Sequence, residues 1–146
     1  MKRAMTRLFA LVLAIACCIG TAGSALAATR ASFYLTTYTA KVVAGSNGNI
    51  TIVVETVANK RSNQIGAEHI LLEESTDGGR TWTTAAEYEG ESWMTDTNRL
   101  SHKATTTYYG TAGYRYRVTA TVFAYNSATE QDSKTVGPSS SVTAKK

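Results

Sequence analysis

The run at residues 114–122 alternates in side-chain character more strictly than any other part of this 146-residue chain, and it constrains the fold most. Tyr116 and Val118 fall on one face of a strand, whereas Arg117 and Thr119 fall on the other. Because successive side chains of a β-strand point to opposite faces, one face of this strand lies against a core and the other in water. The pattern predicts a half-buried strand of an antiparallel sheet.

Other β-branched and aromatic runs recur along the chain, broken by Gly, Asn, Asp and Ser at intervals of about ten residues. That spacing is typical of β-sandwiches and barrels, and no helical period competes with it. We therefore predict an all-β, antiparallel two-sheet sandwich of the immunoglobulin or fibronectin III type, with about seven strands. The weaker patterns at residues 59–63 and 89–99 are predicted to be loops, the second with at most one edge strand. The predicted strands cover residues 33–43, 50–57, 67–75, 81–88, 101–108, 114–122 and 133–143.

The first residues have the order of a secretory signal peptide. Three basic residues precede an uncharged apolar stretch at residues 8–19, and small residues close on an A-x-A site that ends at Ala27. The apolar stretch is shorter than the roughly 20 residues that a membrane-spanning helix needs. We predict cleavage after residues 1–27, which leaves residues 28–146 as a single secreted domain with no stable membrane insertion.

Both cysteines, Cys17 and Cys18, lie in this predicted leader. The stretch that ends in Cys17 loosely resembles a lipoprotein box, so a lipoprotein anchored through Cys17 is the alternative localisation. The leader also removes three basic residues and no acidic ones, which leaves 12 basic and 11 acidic residues and a formal net charge of +1. A nearly neutral domain gives no electrostatic reason to expect nucleic acid or anionic lipid as a partner.

The sharpest local motif is the pattern S-x-D-x-G-x-x-W at Ser75, Asp77, Gly79 and Trp82, which resembles an Asp box. In such a motif the Asp accepts hydrogen bonds from backbone N–H groups of a hairpin turn, the Gly allows a positive φ, and the Trp folds over the turn. Asp boxes recur in sialidases and other propeller glycosidases. A propeller needs several four-stranded blades, however, and this chain is too short to form them. We therefore interpret the motif as a structural hairpin.

No set of side chains has the spacing of a catalytic or metal site, so we predict a non-enzymatic protein with no cofactor and no metal. Glu73 and Glu74 are adjacent on a strand and point to opposite faces, so they cannot act as an acid–base pair. No nucleophile motif accompanies either histidine. Glu87, Glu89 and Glu91 are interpreted as a solvated rim, and His69 and His102 are placed in strands.

Aromatic residues are the remaining indication of function, because two Trp and eight Tyr exceed what a core of this size needs. Trp93 lies beside Met94 in a polar loop, and an exposed Trp in such a setting binds sugars or protein partners. The alternative is that both side chains cover an open end of the sandwich. The candidate ligand-binding residues are Trp93, Met94, Tyr108, Tyr109 and Tyr125.

The sequence GYRYRV at residues 113–118 resembles the penultimate strand of immunoglobulin-type sandwiches, in which a Tyr near the strand start bonds back to the backbone. From Ser32 to Ala144 the chain is similar to small secreted proteins of Gram-positive anaerobes that carry an uncharacterised domain, a resemblance that implies no activity. We predict a secreted interaction module for a glycan, a cell-wall component or a protein partner. A structural subunit of an extracellular assembly and a small secreted effector or antimicrobial protein are the alternatives.

Overall fold

A computed structural model describes residues 34–146, and the predicted signal peptide with both cysteines lies outside the described residues. All strand pairings are antiparallel, which confirms the prediction of an all-β, antiparallel, seven-stranded fold. A short 3-10 helix, Ser92–Met94, precedes the fourth strand. Within the described part of the chain no helix has the length and apolar character needed to cross a membrane. The strands are β1 (Leu35–Ala44), β2 (Asn49–Ser75), β3 (Thr83–Glu89), β4 (Thr95–Tyr109), β5 (Arg115–Ser127), β6 (Glu130–Val136) and β7 (Val142–Thr143).

Strand β2 lies at the centre of the sheet and has two neighbouring strands on each side. Strands β3 and β4 together follow one side along almost its whole length. On the other side β1 pairs with the N-terminal half and β5 with the C-terminal half. Beyond β5, strands β6 and β7 each pair with β5 alone. Every strand therefore belongs to one continuous sheet.

The prediction of a loop at residues 59–63 is wrong, because these residues continue β2 between the two strands that the sequence indicated. Ser62 pairs with Arg99 of β4 and is fully buried. The polar neighbours of Ser62 are exposed. Their polar character therefore reflects contact with solvent along a strand and does not indicate a loop. Residues 95–99, predicted as part of a loop with at most one edge strand, form the start of β4. They are extended because the backbone of β2 supplies their hydrogen-bond partners.

A strand of 27 residues would span about 90 Å if it were straight, so β2 must bend. The bend lies where the pairing with β4 slips between Val57 and Ser62. Just beyond it, Gly66 meets the backbone of the Met94–Thr95 segment so closely that a Cβ would lie 2.1 Å from the Met94 carbonyl oxygen. The bend curls the sheet into a half-barrel.

The core occupies the concave side of this curled sheet. Ile52 from the N-terminal half of β2 and Leu72 from the C-terminal half belong to one buried cluster. Tyr116, Val118 and the alternate residues after them in β5 are also fully buried, whereas Arg117 and Thr119 are partly exposed. The alternation predicted for β5 is therefore confirmed.

Candidate functional site

The Asp-box hairpin joins β2 to β3, and its polar groups are satisfied within the turn. Asp77 Oδ1 accepts hydrogen bonds from the backbone N–H groups of Arg80 and Thr81, each at 2.9 Å. Ser75 Oγ accepts one from the Gly79 N–H at 2.8 Å and donates to Asp77 Oδ1 at 2.7 Å. Gly79 has a φ of +97°, which L-residues with a side chain rarely adopt. These bonds give the motif a structural role.

Acid should loosen this hairpin. Hydrogen bonds from the Thr81 hydroxyl and backbone, and from Ser75, hold the pKa of Asp77 well below its ordinary value of 3.8. A carboxyl whose pKa is lowered by folding contributes stability that is complete above the unfolded pKa and is lost as the pH falls through the folded pKa. We expect the Arg80 and Thr81 amides to stay protected from hydrogen exchange above about pH 4, and to lose that protection progressively below it.

The matched control is Asp77→Asn, which keeps an acceptor oxygen but cannot titrate. In this variant the residual protection of the two turn amides should not change with pH beyond the intrinsic exchange rate. An equal acid dependence in both proteins would show that another group drives the opening.

Trp82 is covered by an arginine that is itself fixed. The guanidinium of Arg117 lies 4.2 Å from the centre of the Trp82 ring. Arg117 also donates two hydrogen bonds to the Glu73 carboxylate, at 2.8 and 3.1 Å. This stack takes up one face of the indole, so Trp82 contributes to the hairpin more than to an open binding surface.

Three of the predicted ligand-binding residues are turned into the protein. Met94 is fully buried, although it borders a depression beside the turn between β3 and β4. Trp93 is half-buried and packs edge-on against Tyr88, with ring centres 5.5 Å apart. Tyr108 is half-buried against Tyr116 at 5.8 Å. Sequence reasoning placed Trp93 and Met94 in a polar loop, but the 3-10 turn directs Met94 into the core.

Tyr109 and Tyr125 are exposed, at 78% and 40%, but they do not share a surface. Tyr109 pairs with Asn49 at the start of β2, whereas Tyr125 pairs with Gln64 beyond the bend. The five predicted residues therefore do not gather into one aromatic patch. Of the two exposed rings, Tyr125 lines a cavity.

That cavity, which we call the Tyr125 groove, lies on the face of β2, β5 and β6. It has a volume of about 720 Å³, within the range of small-molecule sites. Phe123 and Tyr125 are two residues apart on β5 and so project from the same face, with Gln64 of β2 opposite Tyr125. The lining residues are Gln64, Glu68, Phe123, Ala124, Tyr125, Gln131, Asp132 and Ser133.

A second depression of about 360 Å³ adjoins the Tyr125 groove, because Gln64, Glu68 and Phe123 line both. It extends toward the turn between β3 and β4, where Glu89 and Glu91 are exposed. We call this part the acidic end of the groove. Together the two parts form one continuous site in which Phe123 and Glu68 line both parts, Tyr125 lines only the first part, and Glu89 and Glu91 line only the second.

Of the residues that line the Tyr125 groove, only Tyr125 was among the predicted ligand-binding residues, and Phe123 is the missed residue for which the sequence held a signal. The water-facing series of β5 begins with Arg117, Thr119 and Thr121, and the same period continues to Phe123 and Tyr125. Two aromatic rings at consecutive outward positions of a strand break the polar pattern. Extending the alternation by four residues would have placed both rings on the exposed face.

Each histidine contacts a polar partner near the protein surface. His69 Nε2 lies 2.6 Å from Glu87 Oε1, but the Glu87 side chain is 60% exposed. His102 Nε2 donates to the Trp93 carbonyl at 3.0 Å beside an open depression that also contains Arg61. An acid–base pair that is open to water lacks the enclosed setting in which catalytic groups act.

No protein family, curated protein or solved structure matches this chain.

Proposed function

We propose that this protein is a secreted, non-enzymatic interaction module that binds a glycan in the Tyr125 groove. The observation that carries the proposal is the placing of Phe123 and Tyr125 on one outward face, beside side-chain amides. Aromatic rings contact the apolar faces of sugar rings, and amides and hydroxyls bond to sugar hydroxyl groups. Gln64, Gln131 and Ser133 supply those polar groups.

The position of the groove favours a glycan over an extended peptide. Strands that bind peptides by adding a strand offer unpaired backbone N–H and C=O groups. The floor of this groove is the face of a sheet, where Tyr125 is already paired with Gln64 on one side and Gln131 on the other. At Tyr125 only side chains are left to make specific contacts, and side chains of this kind can recognise a glycan.

We also propose that the protein is exported and that its sheet forms an immunoglobulin-like sandwich. The order of basic, apolar and small residues at positions 1–27 supports cleavage and release of residues 28–146. The hydrogen bond from the Thr111 N–H to the Tyr116 hydroxyl, at 2.9 Å, supports an immunoglobulin-like sandwich, because it has the form of the corner that such folds carry. The two halves of β2 would then belong to the two layers.

The test is a screen of the purified chain against cell-wall and other extracellular oligosaccharides, followed by titration of each glycan that binds. We expect Tyr125→Ala to weaken binding at least tenfold, or by about 1.4 kcal/mol, because it removes one ring of the aromatic floor. The matched control is Tyr109→Ala, which makes the same substitution at a more exposed site away from the groove. Tyr109→Ala should bind as the parent protein does.

Equal weakening by both variants would place the site elsewhere, and an absence of glycan binding would favour the assembly alternative. One observation supports that alternative: β1, β3, β4 and β6 each pair with a neighbour on one side only. An unpaired edge is a template for another strand. In that case the size of the protein in solution should grow with its concentration.

A further inference from the structure

We propose that the glycan bound in the Tyr125 groove carries free, positively charged amino groups, which the acidic end of the groove binds. This inference rests on the proposed function and deepens it by naming a class of ligand: an oligosaccharide of amino sugars that are not acetylated. The residues that would contact the amines are Glu68, Glu89 and Glu91.

The first support is the sign of the charge along the groove. Glu68 lies at the junction of the two depressions, and Glu89 and Glu91 lie at the far end. No Lys or Arg of the described chain lines either depression. A groove with charges of one sign raises the local concentration of a ligand with the opposite sign, and it repels acidic competitors.

The second support is that these carboxylates have no partner within the described part of the chain, whereas most others do. Seven of the 11 acidic side chains form hydrogen bonds or ion pairs, such as Glu73 with Arg117 and Glu130 with Lys60. Three of the four that form none lie at this groove, and Glu55 is the fourth. Most of the unpartnered acidic side chains of the described residues therefore lie at this groove, next to the aromatic rings.

The third support is the match between this arrangement and an amino sugar. Each sugar unit combines an apolar ring face, hydroxyl groups and one amine. The aromatic pair Phe123 and Tyr125, the amide of Gln64 and the carboxylate of Glu68 supply a partner for each of these groups within one continuous site. A lysine-rich peptide would satisfy the carboxylates but would leave the aromatic floor without a flat apolar partner.

The test compares two oligosaccharides that differ only in the charge on nitrogen: a hexamer of β-1,4-linked glucosamine and the hexamer of N-acetylglucosamine with the same linkage. Binding is measured by calorimetry about one pH unit above the ordinary Glu pKa of about 4.3, where most carboxylates are ionised and the weakly basic amines of glucosamine are still charged. We expect the free-amine hexamer to bind at least tenfold more tightly. Added salt should reduce the difference.

The variant that tests the carboxylates is the double substitution Glu68→Gln and Glu91→Gln, which keeps size and hydrogen bonding but removes the charge. It should lose most of the preference for the free-amine hexamer, and adding Glu89→Gln, which removes the remaining carboxylate of the acidic end, should make the two affinities nearly equal. Glu55→Gln is the matched control, because it removes another unpartnered carboxylate outside the groove. The control should keep the full preference for the free amine.

The outcomes separate this inference from the proposed function. Equal binding of both hexamers, abolished by Tyr125→Ala, would overturn the inference and keep the glycan-binding function. Tighter binding of an oligolysine of equal charge than of the amine hexamer would overturn the choice of a glycan. If neither hexamer nor any screened oligosaccharide binds, both proposals fail.

Discussion

Replacing Gly66 with alanine should destabilise the protein by about 3 kcal/mol or more, enough to leave much of a marginally stable domain unfolded. An added Cβ would lie 2.1 Å from the Met94 carbonyl oxygen and 2.7 Å from the Thr95 Cα. Both contacts are with backbone, so no side-chain rotation can relieve them. The φ of Gly66, +152°, is also one that L-residues rarely adopt. The bend of β2 must therefore open, or β4 must separate from it.

The comparison is Gly113→Ala in the turn before β5. Gly113 also has a positive φ, of +91°, but an added Cβ would have no atom within 4 Å beyond the adjoining residues. This variant should lose only about 1 kcal/mol through backbone strain. Urea unfolding of both variants measures the two free energies. Similar losses would mean that position 66 requires glycine because of its φ, and not because of the close approach to the Met94 and Thr95 backbone.

Replacing Tyr116 with alanine should cost about 3–5 kcal/mol of unfolding free energy, because it is the largest fully buried side chain of the described residues and its removal leaves a cavity. The hydroxyl is also fixed. It accepts a hydrogen bond from the Thr111 N–H at 2.9 Å and donates one to Glu74 Oε2 at 3.0 Å. Burial raises the pKa of the Tyr116 hydroxyl, which is consistent with a neutral donor at neutral pH.

Tyr116→Phe separates packing from hydrogen bonding, since it keeps the ring and deletes the hydroxyl. We expect a loss of about 1–3 kcal/mol, because the Thr111 N–H and Glu74 lose a partner. Thermal and urea unfolding of the two variants provide the measurement. If Tyr116→Phe lost as much as Tyr116→Ala, the hydroxyl network and not the ring would hold this end of the sheet together.

The sequence predicted only part of the candidate site, as a comparison of Tyr125 with Met94 shows. Residue type and local spacing identified both as candidates, because both lie in or near polar segments. Whether a side chain is available to a ligand depends on what packs over it. Met94 belongs to the buried core cluster, whereas the Tyr125 side chain is 40% exposed and lines the groove.

The carboxylates at the acidic end illustrate the same limit. The sequence indicated that Glu89 and Glu91 lie on a solvated rim, and both are exposed. It could not indicate that Glu68 of β2 would join them, since about 20 residues and the whole of β3 separate the two positions along the chain. The pairing of β2 with β3 and β5 brings the three together.

The sequence by itself determined the all-β class, the antiparallel pairing, the Asp-box hairpin and the buried face of β5. Each of these depends on local alternation or on hydrogen bonds between residues that are close in the chain, so a single segment contains the information. Only the tertiary structure decided that residues 59–63 continue β2, that β2 bends between Val57 and Ser62 with Gly66 packed closely against Met94 just beyond, and that Phe123, Tyr125 and Glu68 share a groove. These features depend on which backbone lies beside which, and partners distant in sequence supply the hydrogen bonds and contacts that fix them.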